Sequence, residues 1–504
     1  MSSASPRFKS RKRWRNHNGN QAVDPLRVYD AGSLEDLQAI VRAAQDHATT
    51  VRAVGSGHSW SDVALTEGFL VETHKLNRPL PAEPDVLREA LDTDHLVRTE
   101  AGIRLRELNR RLDKAGLALS NMGGYDAQTV AGVMSTSTHG SGTGFGPIAD
   151  SVRSIDLVAS EGRLMRVEPP GGITDRARFE EARPDWELHQ DADWFDAVRV
   201  GMGCMGLIYS VYLAVEDEYW LKEVRTKAWW PDVRRDLEAG KVLDEHRHYE
   251  LIFSPHPLPG QEVRCLVTTR DKTPPSRHWW GAPSRRRNSV PEFLAMARVV
   301  PYLANILLDL RPRLAPRLLD MVIVALADED YTSISYRVLN IGPANYAPAY
   351  SAEIAVPVDE RALHLKAVDV ILEVAGRHQK AGTVYETAPI SLRFVKESSA
   401  LMSMMQGQTT MMIELIQMKW TEGGYELLAA YEEALYDLCG RPHWGQVNTL
   451  TGGHGLVRSM YPRYDDWLAV HAEINGAGRV FDSPFSKRVG ISASRFGDGQ
   501  QPPA

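Results

Sequence analysis

The sequence predicts an α+β fold made of more than one domain, and three observations lead there. Its 504 residues exceed what one compact core usually organises, so two or three domains are expected. Helical and strand patterns are mixed without the regular βαβ rhythm of a parallel sheet. Near Tyr219 the texture changes, and a Pro- and Arg-rich loop from Thr273 to Pro291 introduces a second stretch of helices and strands.

The first 20 residues, "MSSASPRFKSRKRWRNHNGN", read as a basic leader. No apolar run comes after it, so it is not a secretory signal, although an amphipathic transit segment stays open. "GSLEDLQAIVRAAQDHA" predicts a helix: Ser33 is the N-cap, Asp36 lies three residues on, and Leu34, Leu37, Ile40, Val41 and Ala44 recur at helical spacing. "TTVRAVGSGH" then reads as a strand entering a tight glycine turn, and "GFLVETHKLNRPL" as another strand and turn. "RLRELNRRLDKAG" is a second amphipathic helix that ends at Gly116. A second loop of glycine and hydroxyl residues runs from Asn121 to Gly146, and the strands "VRSIDLVAS" and "LMRVEP" come next. Further on, "YSAEIAVPVDE" and "ISLRFVKE" read as strands of a second sheet, and "RPHWGQVN" lies near the end.

Composition excludes several classes. Apolar content of 43% and charged content of 24% suit an ordinary globular protein, and a net charge of −7 argues against a nucleic-acid partner. Cys204, Cys265 and Cys439 lie far apart, which implies neither a disulfide framework nor a metal site and makes a reducing cytoplasm the natural setting. "FLAMARVVPYLANILLDL", Phe293 to Leu310, is broken by Arg298 and Pro301 and is too short to span a bilayer. It reads as a helix pair of the soluble fold. The basic Arg285–Arg287 upstream keeps a membrane-surface contact as the less favoured alternative.

Two loops carry the chemistry. In "GSGHSWSD", Gly55 and Gly57 permit close approach of a ligand, and Ser56, Ser59 and successive amides can cradle an anion. Read alone, His58 is a turn histidine. The second loop, "STSTHGSG", changes that reading, because two such loops, each after a strand, can clamp one diphosphate. "GMGCMG" matches GxGxxG literally. The next residues, "LIYSVYLAV", read as strand rather than helix, so a dinucleotide fingerprint is set aside.

The order GSGHSxSD, AGxxSTxTHGSG, GxGxxGxI and a late RPHWG resembles flavoproteins of the vanillyl-alcohol oxidase class, with the aldonolactone and alditol oxidases as the closest group. The resemblance runs from about Trp14 to Gly490. It implies a two-subdomain FAD-binding domain of the PCMH type at residues 21–218 and an α+β substrate-binding cap at 219–425. A C-terminal segment at 426–504 would complete the cap and pack against the flavin domain. It also implies FAD contacts from Val54, Gly55, Ser56, Gly57, His58 and Ser59, and from Gly124, Gly132, Ser135, Thr136, Thr138, His139, Gly140 and Ser141. Gly206 and Ile208, on the GMGCMG edge, and His443 complete the set. His58 matches the histidine that these proteins bond to the flavin 8α carbon. No cysteine in the second loop supplies a second link.

On the catalytic side, the resemblance singles out Glu353, Arg393, His443 and Gln446. Glu353 is either a substrate contact or a structural carboxylate at the domain seam. Arg393 would stabilise negative charge near the flavin. Two departures stand out: Ser391 replaces the glutamate of a Glu-x-Arg strand, and Gln446 replaces the lysine of "HWGK". A pocket with fewer charges beside "ALMSMMQGQTTMM" opens a second expectation, a less polar or bulkier alcohol such as a sterol.

The expected activity is oxidation of a CH–OH group of a sugar-like alcohol, polyol or aldonolactone. Hydride passes to FAD, and O2 or another acceptor takes the electrons. His443, Glu353 and a water relay are the candidate bases, and Thr138 is a candidate for the oxygen route. A dehydrogenase, a flavin binder without turnover and a membrane-surface partner protein are the alternatives.

Overall fold

Ser33 caps helix Leu34–Asp46 (α1) by accepting from the Asp36 N–H, and Leu37, Ile40, Val41 and Ala44 form its buried face. That face joins one core shared by two sheets. The first comprises Phe8–Ser10 (β1), Arg27–Asp30 (β2), Val51–Val54 (β3) and Phe69–Glu72 (β4), in the order β1-β2-β4-β3. Its inner strands are parallel. The second comprises Pro79–Leu80 (β5), Leu96–Glu100 (β6), Val152–Val158 (β7), Leu164–Glu168 (β8), Trp186–Gln190 (β9) and Leu207–Ala214 (β10), in the order β9-β8-β7-β10-β6-β5. The computed structural model describes residues 6–10, 12–89, 91–275, 306–308, 310–327, 330–341, 348–382, 384–419, 421–451 and 454–492.

Helix Leu105–Lys114 (α2) ends as its sequence indicates, with Gly116 at φ +73° just beyond it. The GMGCMG turn feeds β10, a strand, so no helix N-terminus stands there to receive a diphosphate. A buried arginine fixes the turn. Arg52 on β3 donates to the Val63 carbonyl (2.8 Å) and the Met202 carbonyl (2.6 Å), and it reaches the Cys204 sulfur.

The second unit is one antiparallel sheet of eight strands. In chain order these are Trp220–Trp229 (β11), His248–Phe253 (β12), Arg264–Thr273 (β13), Tyr331–Ile334 (β14), Ala349–Pro357 (β15), Ile390–Val395 (β16), Thr410–Met418 (β17) and Arg441–Pro442 (β18). Their order is β14-β11-β13-β12-β16-β17-β15-β18. Helices Leu363–Ala381 (α4) and Gly424–Tyr436 (α5) cover one face through Val368, Ile371, Leu427 and Tyr431, packed on Ile354, Leu392, Phe394, Met411 and Ile413. Alternation along the strands sends Glu250, Arg393, Glu414 and Glu353 to the other face, toward the N-terminal unit.

Helix α5 completes the core of the eight-stranded unit, and the chain then crosses back near His443. Helices Tyr464–Asn475 (α6) and Pro484–Val489 (α7) then bury Trp467, Ile474 and Phe485 in the N-terminal core. The first 20 residues also differ from a free leader. Trp14–Arg15 pairs with Ala22–Val23, and Trp14 and Asn16 are buried against the first glycine loop.

The run Phe293–Leu310 lies largely outside the described residues. Among the described residues, no helix is long and apolar enough to cross a membrane.

Candidate active site

β3 delivers its chain into the first loop, where Gly57 adopts φ +67° with the Trp14 ring packed beneath it. A Cβ on Gly55 would fall 2.1 Å from Thr129 Oγ1. Ser56 Oγ donates to the Ala127 carbonyl at 2.6 Å, which ties this loop to the segment that opens helix Val130–Ser135 (α3). Between them lies a cleft. It is lined by Val54, Gly55, Ser56, Gly57, His58 and Ser59, by Gly132, Ser135 and Thr136, and by Gly206 and Ile208. Sequence reasoning missed Arg52, Thr73, Ala101, Gln128, Thr129, Ala131, Met202 and Gly203, which also line it. The signal for Thr129 was present, since it is the N-cap of α3.

The other expected contacts fall outside this cleft. Gly124 sits under Ile341 and accepts its N–H, Thr138 Oγ1 meets Thr136 Oγ1 at 3.2 Å, and Gly140 packs on Asn121. The Ser141 carbonyl accepts from Asn121 Nδ2 and from His248 Nδ1. His139 Nε2 meets Glu353 Oε1 at 3.2 Å. The second loop therefore divides: its helical start lines the cleft, and its end meets the eight-stranded sheet, where Gly142 bridges to Val395.

The late HWG turn closes the seam. Trp60 N–H donates to the Gly445 carbonyl (2.8 Å), and Ser61 Oγ donates to the Trp444 carbonyl (2.6 Å). His443 Nδ1 accepts from the Gly445 N–H, and the His443 N–H donates to the Glu353 carbonyl. The first loop, the end of the second loop and the Glu353 strand thus meet at one place. Gln446 Oε1 is buried without a hydrogen-bond partner.

Electrostatics sort these groups. Burial, together with the charges of His17, Arg104 and Arg106, lowers the His58 imidazole to about 3 and keeps it neutral. Its ring lies 4.3 Å from that of His17, and its Nε2 is 3.5 Å from the Tyr125 hydroxyl. Burial lowers His443 to about 4, against the pull of Glu353. Burial works to raise Glu353, but His139 overrides it and holds this carboxylate well below its usual range. Arg393 is held up by Glu250, Glu414 and Glu353 in spite of its burial.

Comparison with known proteins bears directly on this arrangement. A family profile described as D-arabinono-1,4-lactone oxidase matches residues 211–489, more than half of the chain. The chain belongs to the D-arabinono-1,4-lactone oxidase family. A second profile, an FAD-binding domain, matches residues 25–168. This member of the D-arabinono-1,4-lactone oxidase family is 25% identical to the L-gulono-1,4-lactone dehydrogenase of Mycobacterium tuberculosis over 486 residues, covering 94% of this chain and 98% of that one. It is 23% identical to the L-gulonolactone oxidase of Bos taurus over 473 residues, covering 92% and 95%. A solvent-stable cholesterol oxidase shares the fold, with a TM-score of 0.75, 17% identity and coverage of 96% and 98%.

The chain is thus an FAD oxidoreductase, and its cleft fits that cofactor. Gly55 and Gly57 line it without side chains, their Cβ directions being filled by Thr129 and Trp14, the loop amides suit a diphosphate, and a neutral imidazole lines the cleft.

Proposed function

We propose that this protein oxidises a CH–OH group of a sugar lactone or a closely related polyol, using FAD tethered through His58. The observation that carries this reading is the seam itself. The cleft, the HWG turn and the charged face of the eight-stranded sheet converge within a few residues of His58.

When bound, FAD supplies the two-electron redox chemistry. This chain's own residues do the rest. Thr129, Ser56 and the loop amides hold the cofactor, and Arg393 offers a fixed cation to the substrate oxygen as negative charge builds on it. Glu353 and His139 form a pair at 3.2 Å that joins the second loop to the sheet. Of the methionines in "ALMSMMQGQTTMM", Met402, Met404, Met405, Met411 and Met412 are fully buried, and Met412 stands opposite Arg393 on the same face of the sheet, so a less polar alcohol such as a sterol stays the second reading.

The neutral state of His58 supports its role as the nucleophile toward the flavin. If so, denatured wild-type protein keeps fluorescent flavin on a gel and His58→Ala releases it; flavin that washes out of the wild type rejects the tether. The activity is tested by anaerobic bleaching of the flavin with a panel of aldonolactones and polyols. A flavin that none of them reduces overturns the reading. Peroxide formed under air identifies O2 as the acceptor, and its absence despite reduction makes the protein a dehydrogenase.

A further inference from the structure

One row of charged residues crosses the face of the eight-stranded sheet that turns to the flavin cleft, and one member of it has no assigned role. Arg270 holds Glu223 at 2.8 Å and Glu250 at 2.9 Å. Glu250 stands opposite Arg393 in the next pair of strands. Glu414, on β17, faces Ser391 on one side and Glu353 on the other. Its contact with charge is Arg393, at the loose distance of 3.8 Å.

Three features set Glu414 apart from its neighbours. Its side chain is 21% exposed, against 17% for Glu250, 5% for Glu353 and 3% for Glu223. Ser391, directly across the ladder, is small. Glu353, on the other flank, is already committed to His139. Two carboxylates facing each other across adjacent strands do not both ionise freely, and the one without a tight partner exchanges its proton more easily.

We propose that Glu414 is the group that accepts the hydroxyl proton of the substrate. This assignment rests on the oxidation reading. In the step, the substrate O–H bond breaks and its proton goes to a Glu414 carboxylate oxygen. The C–H bond breaks with both electrons and its hydrogen passes as hydride to FAD, leaving a carbonyl. The electron acceptor later takes the two electrons, and Glu414 returns its proton to solvent. Arg393 sits between Glu414 and Glu250, so the charge lost when Glu414 is protonated leaves the guanidinium still paired at 3.6 Å with Glu250. Burial raises Glu414 above the ordinary carboxylate range, with Arg393 opposing and Glu353 adding to the rise, which makes it a stronger base than a surface glutamate.

The test uses flavin-loaded protein and the lactone or polyol that best reduces the wild type. The groups facing Glu414 are Arg393 and Ser391 on β16, Glu353 on β15, Glu250 on β12, and His139 from the second loop, with His443 beside Glu353. Glu414→Gln is expected to slow anaerobic flavin reduction by roughly 10²–10⁴-fold and to remove the acid limb of its pH profile. Flavin content is expected to stay at the wild-type level, and substrate affinity to change far less than the rate. A pH titration of the flavin absorbance, without substrate, is expected to lose one transition in this variant. Glu414→Ser paired with Ser391→Glu moves the carboxylate across the ladder and is expected to recover at least about tenfold over Glu414→Ser alone. Should Glu414→Gln fail to hold flavin, Glu414→Asp keeps the acid limb at a reduced rate. A wild-type flavin that is reduced normally, with Glu414→Gln within a few-fold of it, overturns this assignment alone. A wild-type flavin that nothing reduces overturns the oxidation reading instead.

Discussion

Two buried charge clusters in this molecule are built from the same residue types and behave differently. Beneath the second sheet of the N-terminal unit, Arg98 and Arg166 grip Asp156 and Glu83 at 2.6–2.7 Å. On the second unit's sheet, Arg393 stands 3.6 Å from Glu250 and 3.8 Å from Glu414, and the Nε atoms of both Arg98 and Arg393 lack a hydrogen bond. Burial alone would raise Asp156, yet Arg166 and Arg98 drive it far below its usual range, whereas burial leaves Glu414 above its own. The first cluster is held by short ion pairs, whereas the pairs of the second are longer, and groups with looser pairing and shifted protonation are candidates for a ligand site.

The largest effect that separates them is on folding. Arg166→Met leaves Asp156 and Glu83 short of a partner and is expected to destabilise the protein by about 3–5 kcal/mol, measured by denaturant unfolding. Flavin reduction by the surviving folded fraction should be unchanged. Next comes Arg393→Met, which is expected to lower the reduction rate by roughly 10²–10³-fold and to cost less stability than Arg166→Met, because its ion pairs at 3.6 and 3.8 Å are longer. A rate unchanged by that substitution would make the two clusters equivalent and remove the comparison.

The smallest effect is one of sign with pH. The Glu414 carboxyl is raised in the folded state, so the folded protein keeps a proton that the unfolded chain releases. Stability from this group is present below the ordinary carboxylate value and is lost as pH rises through the raised one. Glu414→Gln should therefore gain stability relative to wild type across that window, by about 1 kcal/mol for each unit of the rise. Asp156 has the opposite sign: its contribution is complete above the ordinary value and fades as pH falls. Unfolding curves at several pH values distinguish the two slopes.

Much of this arrangement is legible in the sequence where the signal is local. Ser33 and its apolar spacing mark α1, Gly116 marks the end of α2, and the alternating run after GMGCMG marks β10. The first loop and the start of the second are readable because small residues cluster along the chain. Glu414 is not readable, because its meaning comes from pairing with Ser391 and Glu353, which are 23 and 61 positions away and joined only by strand register. The Glu-x-Arg departure at Ser391 is visible in the sequence, but the carboxylate opposite it is not. Likewise, "RWRNHNGN" reads as a charged leader by composition. Its roles emerge only where Asn16 Nδ2 donates to the Ser59 carbonyl and the His17 N–H to the Gly57 carbonyl.

The hydrogen bonds around the first loop also make an early segment of the chain depend on its last residues. β3 and the loop are made early, but the Val51 N–H donates to the Val480 carbonyl, Arg488 pairs with Asp62, and Gly445 accepts from Trp60. Without these distant partners, the first loop lacks one edge. A chain truncated before Gly445 is therefore expected to hold flavin less well than the full chain, measured as flavin retained per mole of protein.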